Sequence, residues 1–278
     1  KAFYWLKLAA EQGHCEAQYS LGQKYTEDKS RHKDNEQAIF WLKKAALQGH
    51  TFASNALGWT LDRGEAPNYK EAVVWYQIAA ESGMSYAQNN LGWMYRNGNG
   101  VAKDYALAFF WYKQAALQGH SDAQNNLADL YEDGKGVAQN KTLAAFWYLK
   151  SAQQGNRHAQ FQIAWDYNAG EGVDQDYKQA MYWYLKAAAQ GSVGAYVNIG
   201  YMYKHGQGVE KDYQAAFEWF TKAAECNDAT AWYNLAIMYH YGEGRPVDLR
   251  QALDLYRKVQ SSGTRDVSQE IRETEDLL

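Results

Sequence analysis

Apolar positions recur along the chain in two alternating helical stripes. The stronger stripe is anchored on Trp5, Trp41, Trp75, Trp111, Trp147, Trp183 and Trp219, with Leu255 continuing the series. Successive anchors stand 36 residues apart, except for one interval of 34 between Trp41 and Trp75, which a short loop deletion absorbs. Alanine lies three residues before the anchor, at Ala38, Ala72, Ala108, Ala144, Ala180, Ala216 and Ala252. An Ala-Ala pair follows it at Ala45-Ala46, Ala79-Ala80, Ala115-Ala116, Ala187-Ala188 and Ala223-Ala224. These offsets share one face at 3.6 residues per turn, so the spacing predicts an amphipathic helix in each copy, with the anchor tryptophans in its core.

The ends of this helix are also written in the sequence. Seven residues before the anchor stands Asp34, Asn68, Asp104, Asn140, Asp176, Asp212 or Asp248. Each is an N-cap residue, whose side chain accepts from a free amide of the first turn. Eight residues after the anchor comes Gly13, Gly49, Gly83, Gly119, Gly155, Gly191, Asn227 or Gly263, types that tolerate the left-handed conformation closing a helix.

A second helix follows after a short turn, with the pattern Ala-Gln-x-x-Leu-Gly-x-x-Tyr over Ala17–Tyr25 and Ala87–Tyr95 and variants from Ala123, Ala159, Ala195 and Ala231. Glycine in a helix interior costs up to about 1 kcal/mol. Its recurrence at Gly22, Gly58, Gly92 and Gly200, with alanine at 128, 164 and 236, predicts close approach of a neighbouring helix. A Gly-x-Gly then closes the repeat at Gly98/Gly100, Gly134/Gly136, Gly170/Gly172, Gly206/Gly208 and Gly242/Gly244. It recurs after helices and without a following Lys-Ser/Thr, so it reads as a turn and not as a phosphate loop.

Repeated helix pairs at a fixed period predict an all-α solenoid, each unit stacking on its neighbours. The array spans residues 1–278 as a single domain of seven to eight repeats, with a polar capping helix over 264–278. Three turns depart from the pattern: Thr26–Lys33 is polar and has no glycine, Asp62–Ala66 has only one, and Arg245-Pro246 disturbs the last. The first capping position would lie ahead of Lys1, so the sequence is expected to begin inside a helix with upstream sequence before it.

The string A-x-x-W-Y-x-K-A-A-x-Q-G, then A-Q-x-x-L-G-x-M-Y-x-x-G-x-G-V, resembles the Sel1-like repeat family over essentially the whole chain. Ala108–Gly119 and Ala180–Gly191 carry the first half closely. The resemblance implies a right-handed α/α superhelix of antiparallel helix pairs, related to tetratricopeptide arrays and used as an adaptor in protein complexes. It also points to bacterial proteins of the envelope or of host interaction. A cysteine-rich branch of the family is associated with β-lactam binding or hydrolysis. This chain has only Cys15 and Cys226, so the paired cysteines of that branch are absent and both thiols are expected to be free.

Composition narrows the classes further. The chain is 46% hydrophobic with a net charge of −4 and acids and bases interspersed, which argues against nucleic acid as a partner. No apolar run approaches the roughly 18 residues of a membrane span, so a soluble protein is expected, cytoplasmic or periplasmic. No Cys/His cluster suggests a metal and no motif suggests a cofactor. His14, His50 and His120 share the turn after the glycine, which marks a structural role. The carboxylates Asp129 and Glu132 have no nucleophile or electrophile placed with them by the sequence.

Function is sought on the face of the second helix turned away from its Leu stripe. Two residues before that leucine stand Tyr19, Asn55, Asn89, Asn125, Phe161, Val197 and Tyr233; two after stand Gln23, Trp59, Trp93, Asp129, Trp165, Tyr201 and Ile237. One turn on come Arg96, Glu132, Lys204 and His240. The repeat does not require tryptophan here, and surplus aromatics on an exposed face mark binding surfaces. Asn55, Asn89 and Asn125 both donate and accept, as the backbone of an extended peptide requires. The candidate site is therefore Asn55, Trp59, Asn89, Trp93, Arg96, Asn125, Asp129, Phe161, Trp165 and Tyr201, a concave groove for a partner peptide or loop in a non-enzymatic scaffold. Burial of the same aromatics between neighbouring inner helices is the other reading. A sugar-stacking solenoid and a cell-wall or β-lactam hydrolase are the rival functions.

Overall fold

The computed structural model describes residues 2–27, 33–64 and 66–278. Residues 28–32, with His32 and most of the first irregular turn, and residue 65 lie outside the described residues. The described residues form sixteen α-helices and no strand. The chain divides into two compact units, Lys1–Asn140 and Lys141–Leu278.

The first unit holds four helix pairs: α1 (Ala2–Glu11) and α2 (Cys15–Thr26), α3 (Asn35–Leu47) and α4 (Thr51–Asp62), α5 (Tyr69–Glu81) and α6 (Ser85–Asn97), α7 (Tyr105–Leu117) and α8 (Ser121–Asp133). The second holds α9 (Lys141–Gln153) and α10 (Arg157–Ala169), α11 (Tyr177–Ala189) and α12 (Val193–His205), α13 (Tyr213–Glu225) and α14 (Ala229–Tyr241), α15 (Leu249–Ser262) and α16 (Ser268–Asp276). Within each unit a helix packs chiefly on the helices before and after it in sequence, the arrangement a solenoid requires.

The helix starts follow the capping chemistry. Asp34, Asn68, Asp104, Asp176, Asp212 and Asp248 each accept from a first-turn amide, for example Leu107 N at 2.9 Å from Asp104 Oδ1. Second helices are capped by His50, His120, Asn156 and Asp228. The turn histidines His50 and His120 thus have a defined task, with Nδ1 accepting from Ala53 N at 3.1 Å and Ala123 N at 3.3 Å. Asn227, at φ 60°, is the only non-glycine with positive φ among the described residues, and it stands where the other copies carry glycine.

The core corrects one expectation. Trp41, Trp75 and Trp183 are buried, but Trp111, Trp147 and Trp219 are half-buried and Trp5 is 64% exposed. The deepest position is the next residue: Tyr76, Tyr112, Tyr148, Tyr184, Phe220 and Tyr256 are all essentially inaccessible. One step along a helix turns the side chain by about 100°, and that step aims it at the small residue of the preceding second helix. A Cβ on Gly92 would lie 2.8 Å from the Tyr112 ring. The glycine is needed because the ring occupies its side-chain space.

A glutamine relay joins neighbouring pairs. Gln18, Gln88 and Gln160, the second residue of each Ala-Gln, are buried and donate to Ala10 O, Ala80 O and Ala152 O at 3.0–3.2 Å. Each accepts in turn from the glutamine closing the next first helix, Gln48, Gln118 and Gln190, at 2.7–2.8 Å. Where Ser54 replaces the first glutamine, the matching position is Ser82. In the last pair α16 packs on α15, with Val267 and Thr274 buried.

Candidate functional site

In the first unit the second helices α2, α4, α6 and α8 carry the predicted rows. Trp59 and Trp93 are 45% and 42% exposed, so neither is absorbed by packing. Between these helices runs a ladder of carboxamides. Asn90 Nδ2 donates to Asn55 Oδ1 at 3.2 Å and Asn126 Nδ2 to Asn89 Oδ1 at 3.0 Å. The sequence reading placed Asn55 and Asn89 but missed Asn90 and Asn126, although the Asn-Asn doublets at 89–90 and 125–126 were visible. Asn125 is buried at 9% exposure.

Arg96 and Asp129 are brought together. Arg96 Nη1 lies 3.0 Å from Asp129 Oδ2 and 3.5 Å from Asn126 Oδ1. Burial opposes the charge on Arg96, but the hydrogen bond and attraction of Asp129 outweigh it and hold its pKa above the ordinary guanidinium value. The pair ties α6 to α8.

Two of the cavities on this face border the asparagine ladder. One of ≈ 250 Å³ is lined mainly by Tyr19, Leu42, Phe52, Asn55, Trp59 and Met84. The other, of ≈ 340 Å³, is lined by Asp62, Arg63, Asn89, Asn90 and Trp93. Asp62 Oδ2 accepts from Tyr76 Oη at 2.8 Å. Burial raises the Asp62 carboxyl above the usual carboxylate range, against the lowering effects of Tyr76 and Arg63.

In the second unit the predicted residues separate. Trp165 on α10 is 46% exposed. Phe161 is half-buried against Tyr184, with ring centroids 5.7 Å apart, and fills the space that a Cβ on Gly194 would need. Tyr201 packs edge-on against Phe220 at 5.4 Å and accepts from Asn234 Nδ2 at 2.9 Å. Trp165 alone of these three offers an open ring.

His50 and His120 cap helices, and His240 Nδ1 lies 3.1 Å from Thr274 Oγ1. Among the described residues no group of three or more His, Cys, Asp or Glu could hold a metal ion. Cys15 and Cys226 are free thiols, and no described helix is long and apolar enough to cross a membrane.

His120 makes the stability of α8 sensitive to pH. Burial lowers its pKa below the ordinary histidine value, although Asp122 acts the other way. Its Nδ1 must also be unprotonated to accept from Ala123 N. The folded state therefore favours the neutral ring. The contribution is complete above the unfolded pKa of about 6.5 and is lost as pH falls through the lower folded value. Between pH 7.5 and 5.5 the melting midpoint of the wild type is expected to fall further than that of His120→Asn, which caps as Asn156 does and does not titrate. Parallel curves would remove His120 from this role.

The Sel1 repeat sequence model matches residues 1–14, 15–50, 51–84, 85–120, 121–156, 157–192, 193–228 and 229–258. A protective antigen present in uropathogenic Escherichia coli strains, displaying an SLR fold, has a crystal structure similar to this one at a TM-score of 0.87 and 36% identity. The alignment covers 94% of this chain and 56% of the antigen, so the present chain spans little more than half of that protein. A Sel1 repeat protein from Oxalobacter formigenes aligns at a TM-score of 0.71 and 33% identity, over 77% of this chain and 86% of its own.

Proposed function

The chain belongs to the Sel1 repeat family, whose members are generally protein-interaction scaffolds, and from that premise we propose that its first unit grips an extended segment of a partner protein on the face of its second helices. The observation that carries this reading is the open pair Trp59 and Trp93, each beside a cavity. Partly exposed tryptophans flanked by pockets are the anchors that dominate interface energies.

The asparagine ladder supports an extended occupant. Asn55 and Asn89 have their carbonyls engaged by the next helix, so what they turn to a ligand is an amide donor. A row of donors suits the carbonyl oxygens of a peptide backbone. Arg96 and Asp129 hold α6 and α8 in register behind that row. In the second unit Trp165 is a separate contact of the same kind. The scaffold acts without catalysis.

A library of acetylated, C-amidated hexapeptides presented to the intact chain tests the reading. Trp93→Ala and Trp59→Ala are each expected to weaken selected peptides by about 2 kcal/mol or more, some thirtyfold in Kd. Asn89→Asp, which replaces a donor by an acceptor, is expected to weaken them as well. Binding indifferent to both tryptophans would end the proposal.

A further inference from the structure

Resting on that reading of the first unit, we propose that the Asp62–Trp93 cavity receives a cationic side chain of the bound segment, an arginine or lysine, next to an apolar side chain lodged in the Tyr19–Trp59 cavity.

The argument starts from the unfinished bonding of Asp62. Its side chain is only 9% exposed, and Oδ2 accepts from Tyr76 Oη. Oδ1 makes no hydrogen bond. Its nearest cation is Arg63, whose Nε stands at 3.6 Å, beyond hydrogen-bond reach. A shielded carboxylate oxygen without a donor is a costly state, relieved when a charged donor closes on it.

Arg63 covers this oxygen loosely. Its side chain is 67% exposed and its guanidinium stands 5.4 Å from the Trp59 ring centroid. The chain's own cation thus takes up a slack version of the contact that a ligand would complete. Because Arg63 faces solvent, it can swing away when a better-placed donor arrives.

The other walls suit a cation too. Asn90 donates its amide to Asn55, which leaves Asn90 Oδ1 as a second acceptor on the cavity. Trp93 supplies a partly open ring, and a guanidinium or ammonium against an indole face gains about 0.5–2 kcal/mol. Two acceptors and an aromatic face match a multi-donor cation. An acidic side chain would meet the Asp62 carboxylate at close range.

The two cavities meet at the Asn55–Asn90 pair, since each residue lines one of them. Packed helices lie about 8–10 Å apart and an extended chain advances about 3.3 Å per residue. The apolar and basic residues of the partner therefore stand two or three positions apart. The next repeat does not duplicate the cationic pocket: Arg96 occupies the position equivalent to Asp62 and pairs with Asp129. One such pocket fixes the register of the partner.

The hexapeptide library decides the matter. Peptides selected by the wild-type chain are expected to carry Arg or Lys two or three positions from an apolar residue. Asp62→Asn, which keeps an acceptor for Tyr76, is expected to lower their affinity at least tenfold with little change in melting midpoint. Arg63→Gln is expected to strengthen them by removing the competing cation. Selected peptides that depend on Trp93 but show no basic preference would overturn this inference and leave the groove standing. A preference for acidic residues that disappears in Arg63→Gln would overturn it equally. Absence of any binding would remove both the groove and the inference.

Discussion

Tyr112→Ala is expected to destabilise the chain by about 3–5 kcal/mol, and Trp111→Ala beside it by about half as much. The contrast follows from depth. Tyr112 is fully buried, its ring filling the space above Gly92, so truncation leaves a cavity that the glycine cannot fill. Trp111 is half-buried and leans edge-on against the exposed Phe110, with centroids 4.9 Å apart. Its loss removes contacts on one side and opens the other to water. Urea unfolding followed by circular dichroism measures both variants. A larger loss for Trp111→Ala would return the tryptophan to the centre of the core.

The second large effect concerns the turn that closes each repeat. Gly136→Ala is expected to cost about 2–5 kcal/mol, combining left-handed strain of about 1–2 kcal/mol with overpacking of about 1–3 kcal/mol. Gly119→Ala should cost about 1–2 kcal/mol from strain alone. Both glycines have positive φ, 72° and 89°. At Gly119 an added Cβ meets nothing within 4 Å, whereas at Gly136 it would fall on the carbonyl of Tyr105. The loop after α8 lies directly on the start of α7, and no flexible side chain stands between to yield. Equal shifts in the unfolding midpoint would show that backbone conformation alone selects glycine at the second position of Gly-x-Gly.

Helix limits were legible because they are local. An Asp or Asn seven residues before the anchor and a glycine eight after it do their work within one turn of chain. The depth of each residue was not local. Trp111 and Tyr112 fit the same apolar stripe, and only the position of Gly92 on another helix decides which ring goes deeper. The exposure of Trp59, Trp93 and Trp165 followed from register. Phe161 and Tyr201 sit in the same rows yet pack, because Gly194 admits one ring and Phe220 receives the other. The asparagine ladder joins residues 35 and 37 apart in sequence, a pairing that depends on how one second helix slides past the next.

The glutamine relay bears on how such a chain can be duplicated and recombined. Each pair, Gln18 with Gln48, Gln88 with Gln118 and Gln160 with Gln190, links a second helix to the first helix that follows it. Ser54 and Ser82 occupy the same two places in the one copy between the first two of these pairs. A crossover that cut between those helices would set a glutamine opposite a serine and strand a buried carboxamide, at about 1–3 kcal/mol. A crossover inside the Gly turn of one helix pair would leave every match intact. The piece that can be copied or exchanged with the relay intact is therefore the second helix together with its successor, offset by one helix from the hairpin that the eye picks out.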